Sequence, residues 1–111
     1  MGTDAWEVID LAQVREQFKG EAVEYLEFLK VPTMSCGLYS LAAGSKDMQA
    51  PHDEDEVYFV LTGKARMRLG ETEREVKPGT LLYIRAATEH SFFEIEEDMT
   101  LLVLFASGTR N

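Results

Sequence analysis

The sequence predicts an all-β domain, a sandwich or a barrel built from short strands. Runs of β-branched and aromatic residues recur at intervals of roughly ten residues from residue 24 onward. Glycine stands at several joints between these runs, including Gly44, Gly63, Gly70 and Gly79. Helix signals occur only near the N-terminus. Evenly spaced short strands separated by turn residues are typical of sandwiches and barrels.

The N-terminal segment predicts one strand and one helix. Residues 5–11 alternate apolar and polar side chains, as a half-buried strand does. Asp10 can cap a helix over residues 11–18, with Gln13 three residues on as in a capping box. Gly20 is a suitable residue to end that helix.

The rest of the chain predicts strands alone. Ala65, Met67 and Leu69 alternate with basic residues, which predicts one buried and one solvated face. Pro32 interrupts the series near its beginning. The predicted strands cover residues 24–31, 35–44, 56–63, 64–70, 72–79, 80–86, 90–97 and 99–106.

Length and net charge limit the number of domains and the kinds of partner that we expect. The length of 111 residues suits a single domain over residues 1–111. Twenty acidic and eleven basic residues give a net charge of −9. This charge argues against nucleic acid, which needs a basic face, and against an anionic membrane surface. Solubility is the simplest reason for it.

The cysteine content and the apolar segments predict a cytoplasmic protein. Cys36 is the one cysteine, so no internal disulfide forms, which fits a reducing compartment. The chain opens without the apolar stretch of a signal peptide. The uncharged apolar run of residues 99–109 is too short to cross a bilayer as a helix.

The two histidines are the candidates for chemistry. His52 and His90 each begin a predicted strand, and Glu56 follows His52 by four residues. If the two strands are neighbours in a barrel, these side chains converge at its mouth as a metal-ligand set. A histidine near a strand end is also commonly a surface or core residue, and Glu56 belongs to a solvated-looking acidic run. Spacing alone leaves both interpretations open.

A family motif helps to decide between a metal site and ordinary surface or core residues. The sequence resembles the cupin superfamily, whose first motif is G(X)5HXH(X)3-4E(X)6G. Gly44, His52, Glu56 and Gly63 match it in register, over residues 44–63. Ala50 stands where the family usually has its first histidine.

The second cupin motif is G(X)5PXG(X)2H(X)3N, and residues 79–94 match it in part. Gly79 and His90 agree, while Arg85, Ala87 and Glu94 replace the proline, the glycine and the asparagine. The resemblance implies a double-stranded β-helix, or jelly-roll barrel, with a short N-terminal helix.

The resemblance also implies a divalent transition metal. His52, Glu56 and His90 match three of the family's four usual ligands, and Fe, Mn, Ni, Co or Zn suits them. Gln49 can supply a fourth ligand if a bulge before Pro51 turns its amide oxygen inward. Two histidines and one carboxylate also resemble the ligands of non-haem Fe(II) oxygenases.

Strand alternation predicts the surroundings of this site. Tyr58 shares the face of Glu56, and Phe92 and Glu94 share the face of His90. We expect Tyr58 and Phe92 to line a pocket, with core packing as the alternative. Glu94 needs a partner if it points inward, and it otherwise faces solvent.

The family pattern does not assign the roles of Arg85 and Cys36. Arg85 either binds an anionic substrate at the barrel mouth or pairs with a nearby acid. Cys36 is expected to be a small buried hydrophobe.

Three functions follow from these expectations. The first is a metal-dependent enzyme acting on a small metabolite, a dioxygenase or else an isomerase or lyase. The second is a module that binds a small ligand or a metal without turnover. The third is a structural homodimer with a degenerate site. Exchange of the N-terminal strand between subunits would produce such a homodimer and would cover a sheet edge.

Overall fold

The structure is a computed structural model that describes residues 5–47 and 52–106. Within these ranges the chain forms a helix, α1 (Leu11–Arg15), and an antiparallel set of strands. The strands are β1 (Val23–Val31), β2 (Met34–Leu41), β3 (Asp55–Leu69), β4 (Thr72–Val76), β5 (Leu81–Ile84) and β6 (His90–Ala106).

The strands form two layers that share β3 and β6. Residues 55–60 of β3 lie between the end of β6 and β5, so the large sheet runs β1-β2-β6-β3-β5. Residues 65–69 of β3 lie between the beginning of β6 and β4, which makes the small sheet β6-β3-β4. This arrangement confirms the predicted all-β jelly-roll barrel with a short N-terminal helix.

The prediction of separate strands on either side of Gly63 was wrong, because β3 is continuous there. Gly63 has a φ of 97°, and a Cβ at this position would lie 2.5 Å from the carbonyl oxygen of Asp98. The register between β3 and β6 shifts from Val60 to Arg66. The glycine therefore marks a bulge that carries one strand from the large sheet into the small sheet. β6 is continuous in the same way where two strands were predicted.

The N-terminal segment also differs from expectation. Residues 5–10 form no strand, because an alternating pattern becomes a strand only where a neighbour receives its hydrogen bonds. Asp10 caps α1 as predicted, accepting a hydrogen bond from the Ala12 amide at 2.9 Å. The helix ends at Arg15, well before Gly20, because the amides of Gln17 and Phe18 bond three residues back and tighten the chain.

The two sheets differ in their outward faces. The small sheet carries basic residues there, and Arg66 and Arg68 pair with Glu73. The large sheet carries Val57, Phe59, Leu102 and Leu104, which are partly buried, on its outward face. At its β5 edge, Leu81 and Tyr83 are 62% and 60% exposed. The inner faces of both sheets form the core, which includes Val60, Met67, Phe92 and Leu101.

The described parts of the chain contain no helix with the length and apolar character needed to cross a membrane.

Candidate metal centre

Three predicted ligand residues lie together at one end of the barrel. Glu56 is on the inner face of β3, and His90 is the first residue of β6. His52 was expected to begin a strand but lies three residues before β3. One donor atom from each of the three residues lies within 4.8 Å of the other two. That span is close to what one ion with bonds of about 2.0–2.2 Å requires.

Backbone hydrogen bonds hold the two histidine segments together. The Ala87 amide donates to the carbonyl oxygen of His52 at 2.6 Å. The Ala86 amide donates to Oδ1 of Asp55 at 2.9 Å. Ala87 has a φ of 66°, the left-handed conformation that favours glycine, and the family pattern has glycine at this position. The loop before β6 is therefore fixed to His52 by a main-chain hydrogen bond and to the start of β3 by the Asp55 side chain.

Glu56 carries a buried carboxylate that lacks hydrogen bonds. The residue is 1% exposed, and its Oε1 lies 3.2 Å from Nε2 of His90. Neither carboxylate oxygen accepts a hydrogen bond of good geometry from the residues the structure describes. A buried carboxylate without such partners is costly, and a bound cation would compensate it. This observation fits a metal ion at the site.

The orientation of His90 is fixed by its other ring nitrogen. Nδ1 lies 2.8 Å from the carbonyl oxygen of Thr88. Because a carbonyl only accepts, Nδ1 carries the proton in this bond and Nε2 keeps its lone pair. Nε2 is directed to Glu56 and lies 3.4 Å from the hydroxyl of Tyr58. A histidine held in this way is prepared to bind a metal through Nε2.

The electrostatic field at His90 favours positive charge. Burial lowers the pKa of His90, but the close contact with the Glu56 carboxylate, the hydrogen bond to Thr88 and the charges of Glu56 and Asp47 outweigh burial and raise it. A field that stabilises a proton on this ring also stabilises a cation beside it.

Aromatic rings surround the three residues. The ring of Phe105 packs edge-on against His52, with centroids 4.9 Å apart. Tyr58 packs edge-on against both His90 and Phe92, at 5.9 and 5.2 Å. Phe92 is 1% exposed and lies in the core behind Tyr58.

A cavity of about 400 Å³ opens next to the site. Tyr58 is among its lining residues and Phe92 is not. Its polar lining comes from Glu27, Lys30, Ser35, His52, Glu54 and Glu56. Its apolar and aromatic lining comes from Tyr25, Tyr39, Tyr58, Val103 and Phe105.

Sequence reasoning missed the contribution of β1 and β2 to this cavity. Tyr25 lies across Gly37, where any side chain would collide with the Tyr25 ring. Burial, followed by the charges of Glu27 and Glu56, raises the pKa of Tyr25, so its phenol remains a hydrogen-bond donor. Strand pairing places these residues, and no local motif in the sequence indicates them.

A second missed residue is Asp47, which is 8% exposed. Its Oδ1 accepts from the hydroxyl of Tyr39 at 2.8 Å, and its Oδ2 accepts from the amide of Phe92 at 2.9 Å. Asp47 thus holds one wall of the cavity to the start of β6. Its place three residues after Gly44 gave no signal of this role.

The other predicted residues lie away from the cavity. Arg85 is exposed, and within residues 5–47 and 52–106 it forms no ion pair and lines no part of the cavity, so both roles expected for it stay predictions. Glu94 is exposed, because its φ of 47° breaks the alternation of β6. Cys36 is buried as expected. Gln49 and Ala50 lie outside the described residues, so Gln49 as a fourth ligand stays a prediction.

The chain has clear sequence relatives. Residues 37–106 match the family model described as "Cupin domain". An uncharacterized protein of Streptomyces coelicolor is 45% identical over 82 residues, which are 74% of this chain and 78% of that protein.

Solved structures show the same fold. TT1209 from Thermus thermophilus has a TM-score of 0.76 and 26% identity, over 91% of this chain and 97% of that chain. A cupin superfamily protein from Desulfitobacterium hafniense has a TM-score of 0.75 and 18% identity, over 92% of each chain. KdgF from a Halomonas species has a TM-score of 0.73 and 18% identity, over 84% of this chain and 86% of that chain. At 18% identity the likeness is one of fold alone.

Proposed function

The chain belongs to the cupin domain family, and from that premise we propose that it binds one divalent transition-metal ion and presents it to a small molecule in the cavity. His52, Glu56 and His90 are the proposed ligands. The observation that carries this proposal is the buried carboxylate of Glu56, which has no hydrogen-bond donor among the described residues. Iron, manganese, nickel, cobalt and zinc all suit two imidazoles and a carboxylate.

The surroundings support a site that exchanges ligands. Three protein ligands leave coordination positions free for a small molecule, in contrast to closed structural sites. The cavity of about 400 Å³ is lined by His52 and Glu56, with His90 buried behind Tyr58 and Glu56, and is within the size range of small-molecule sites. Val103 and Phe105 supply apolar walls, and Tyr58 supplies a phenol near His90.

We propose metal-dependent catalysis on a small metabolite as the activity, a dioxygenase reaction first and an isomerase or lyase reaction second. A bound ion would supply a Lewis acid for a substrate oxygen or a centre for oxidation by dioxygen. The phenol of Tyr58, 3.4 Å from Nε2 of His90, is positioned to donate a hydrogen bond to a molecule next to the ion. Binding of a ligand without turnover is the alternative for the same cavity.

Metal analysis tests the proposal. Protein purified without chelator is compared by mass spectrometry with the His52→Ala and His90→Ala variants. Near-stoichiometric metal in the parent and its loss in both variants is the expected result. Parent protein that takes up no metal, even after incubation with Fe²⁺, Mn²⁺ and Zn²⁺, would refute the proposal. Oxygen consumption by the iron-loaded protein with candidate metabolites then separates a dioxygenase from the other two activities.

The outward face of the large sheet favours a second candidate function, that of a structural homodimer. Leu81 and Tyr83 are more than half exposed there, whereas the small sheet is covered by ion pairs. The same chain offers an exposed apolar segment before α1, in which Trp6 is 73% and Val8 is 84% exposed. We propose that a second copy of the chain covers this face with that segment. Sedimentation equilibrium at micromolar concentration should give a dimer, and Tyr83→Glu should give a monomer; a monomeric parent refutes the dimer.

A cytoplasmic location completes the proposal. The single cysteine is a buried free thiol, which fits a reducing compartment. Cell fractionation with an antibody against the chain tests this location, and recovery in an extracytoplasmic fraction would contradict it.

A further inference from the structure

One row of residues across the large sheet connects the candidate metal centre with the far wall of the cavity. Lys30 of β1 pairs with Ser35 of β2, and Ser35 pairs with Phe105 of β6. Phe105 in turn pairs with Glu56 of β3. All four residues line the cavity. They therefore form one row, with the metal ligand at one end and a lysine at the other.

A bulge directs Lys30 toward the cavity. Tyr25 and Glu27 lie on the cavity side of β1, and strict alternation would send residue 30 to the opposite side from residue 27. The register of β1 against β2 shifts between Glu27 and Leu29. This extra residue reverses the alternation and brings Lys30 to the cavity face, as bulges do next to binding sites.

Lys30 carries an available positive charge. It is the one lysine or arginine among the lining residues that the structure describes. Within the same described ranges, no carboxylate lies within the 4.0 Å of an ion pair with its ammonium group. By contrast, Lys64 on the small sheet pairs with both Glu75 and Glu96.

Ser35 adds a hydroxyl beside Lys30. Ser35 is 6% exposed and lines the cavity. Its hydroxyl makes no hydrogen bond with any of the residues in 5–47 and 52–106. Because Ser35 lines the cavity, a ligand there can accept a hydrogen bond from this hydroxyl.

We propose that Lys30 and Ser35 bind the carboxylate of a small ligand whose other end reaches the metal. An ammonium and a hydroxyl side by side match the two oxygens of a carboxylate. Ser35 and Glu56 are two strand spacings apart, about 10 Å at the backbone, and their side chains project into the cavity between them. A chain of about five carbons across Phe105 fits this separation. The assignment rests on the proposed metal site and specifies its ligand as a small carboxylic acid with a second oxygen-bearing end.

The acidic residues of the cavity make this binding depend on the metal. Glu27 and Glu54 also line the cavity, beside Glu56. Without a cation these carboxylates repel an anionic ligand, whereas a divalent ion offsets their charge. Carboxylate binding is therefore expected in the metal-loaded protein and not in the metal-free protein.

The test uses Co²⁺-loaded protein, with its visible spectrum as the signal, and two probes of equal chain length. Glutarate carries a carboxylate at each end, and pentanoate has a methyl group in place of one of them. In the parent, glutarate should bind at least about tenfold more tightly than pentanoate, the factor of one charge-assisted hydrogen bond. Lys30→Gln and Ser35→Ala should each reduce this preference severalfold, and Lys30→Arg should retain it. Lys64→Gln removes the same charge outside the cavity and should leave the preference unchanged.

The outcomes separate the two proposals. A parent protein that takes up no Co²⁺ overturns the metal site and this inference with it. A parent that binds Co²⁺ but binds glutarate and pentanoate equally overturns the carboxylate site alone. The carboxylate site is also overturned if Lys30→Gln keeps the full preference for glutarate over pentanoate. The Co²⁺ spectrum of this variant reports whether it is folded.

Discussion

Glu56→Gln should stabilise the metal-free protein and abolish its stabilisation by metal. In the metal-free state the substitution removes a buried charge that has no hydrogen-bond donor among the described residues. It also replaces one oxygen by an NH₂ group that can donate to Nε2 of His90, at the present distance of 3.2 Å. Relieving one unsatisfied buried group contributes about 1–2 kcal/mol. For a domain of this size that raises Tm by about 4–8 °C.

Added metal should make the parent protein more stable than the Glu56→Gln variant. At a free metal concentration one hundred times Kd, the parent gains about 2.7 kcal/mol, because the ion binds the folded state alone. The parent's Tm should then rise by about 10 °C. The variant lacks one ligand and should gain less than about a third of that free energy.

Thermal unfolding with chelator and with Zn²⁺ measures both effects. Glu54→Gln makes the same chemical change in the same cavity, outside the cluster of three ligand residues, and serves as the control. If Glu56 instead forms a structural ion pair with protonated His90, the metal-free variant should lose about 3–5 kcal/mol. A less stable metal-free variant, or equal metal stabilisation of the variant and the parent, would refute the reasoning.

Three further substitutions test the fold by thermal unfolding. Ala87→Gly should raise the free energy of unfolding by about 0.5–1 kcal/mol, since the φ of 66° at this residue favours glycine; a loss of stability would contradict this. Gly63→Ala should cost at least 2 kcal/mol more than Gly79→Ala, by rough estimate from overpacking. Both glycines have positive φ, but only at Gly63 would a Cβ collide with backbone, so equal costs would disprove that role. Asp47→Ala removes two hydrogen bonds to a buried carboxylate and should cost about 2–4 kcal/mol; a cost below 1 kcal/mol would show that these bonds contribute little.

The sequence predicts the strands and the inward residues of β3 well. Glu56, Tyr58 and Val60 alternate with partly exposed neighbours, and all three are buried. This success reflects a strand with one covered face, for which a period of two fixes the direction of each side chain.

The same rule fails at bulges, because an inserted residue leaves no mark in the hydrophobic pattern. Glu94 was predicted to share the face of His90, and the left-handed conformation at Glu94 turns it to solvent. Lys30 reaches the cavity for the corresponding reason in β1. The family pattern has asparagine at position 94 and glycine at position 87, and both residue types tolerate a positive φ. Because this chain has Glu94 and Ala87 instead, no signal in the sequence marks the positive φ at these two positions.

The cavity wall contributed by β1 and β2 was not predictable from local sequence. Its members meet only through pairing between strands, as Ser35 does with Phe105. That His52, Glu56 and His90 lie together was predictable because a family motif records their long-range arrangement, which composition and periodicity do not.

The hydrogen bonds from Ala87 to His52 and from Ala86 to Asp55 have a consequence for how such a protein evolves. They align the two ligand-bearing segments through the main chain and one acid, without using any donor atom of the three proposed ligand side chains. Substitution of a single proposed ligand would therefore change the affinity for an ion while the frame that presents the other two persists. One of the three side chains can therefore be replaced without loss of either of these hydrogen bonds. Ala50 stands at a position of that kind in the cupin pattern, where the usual residue is histidine.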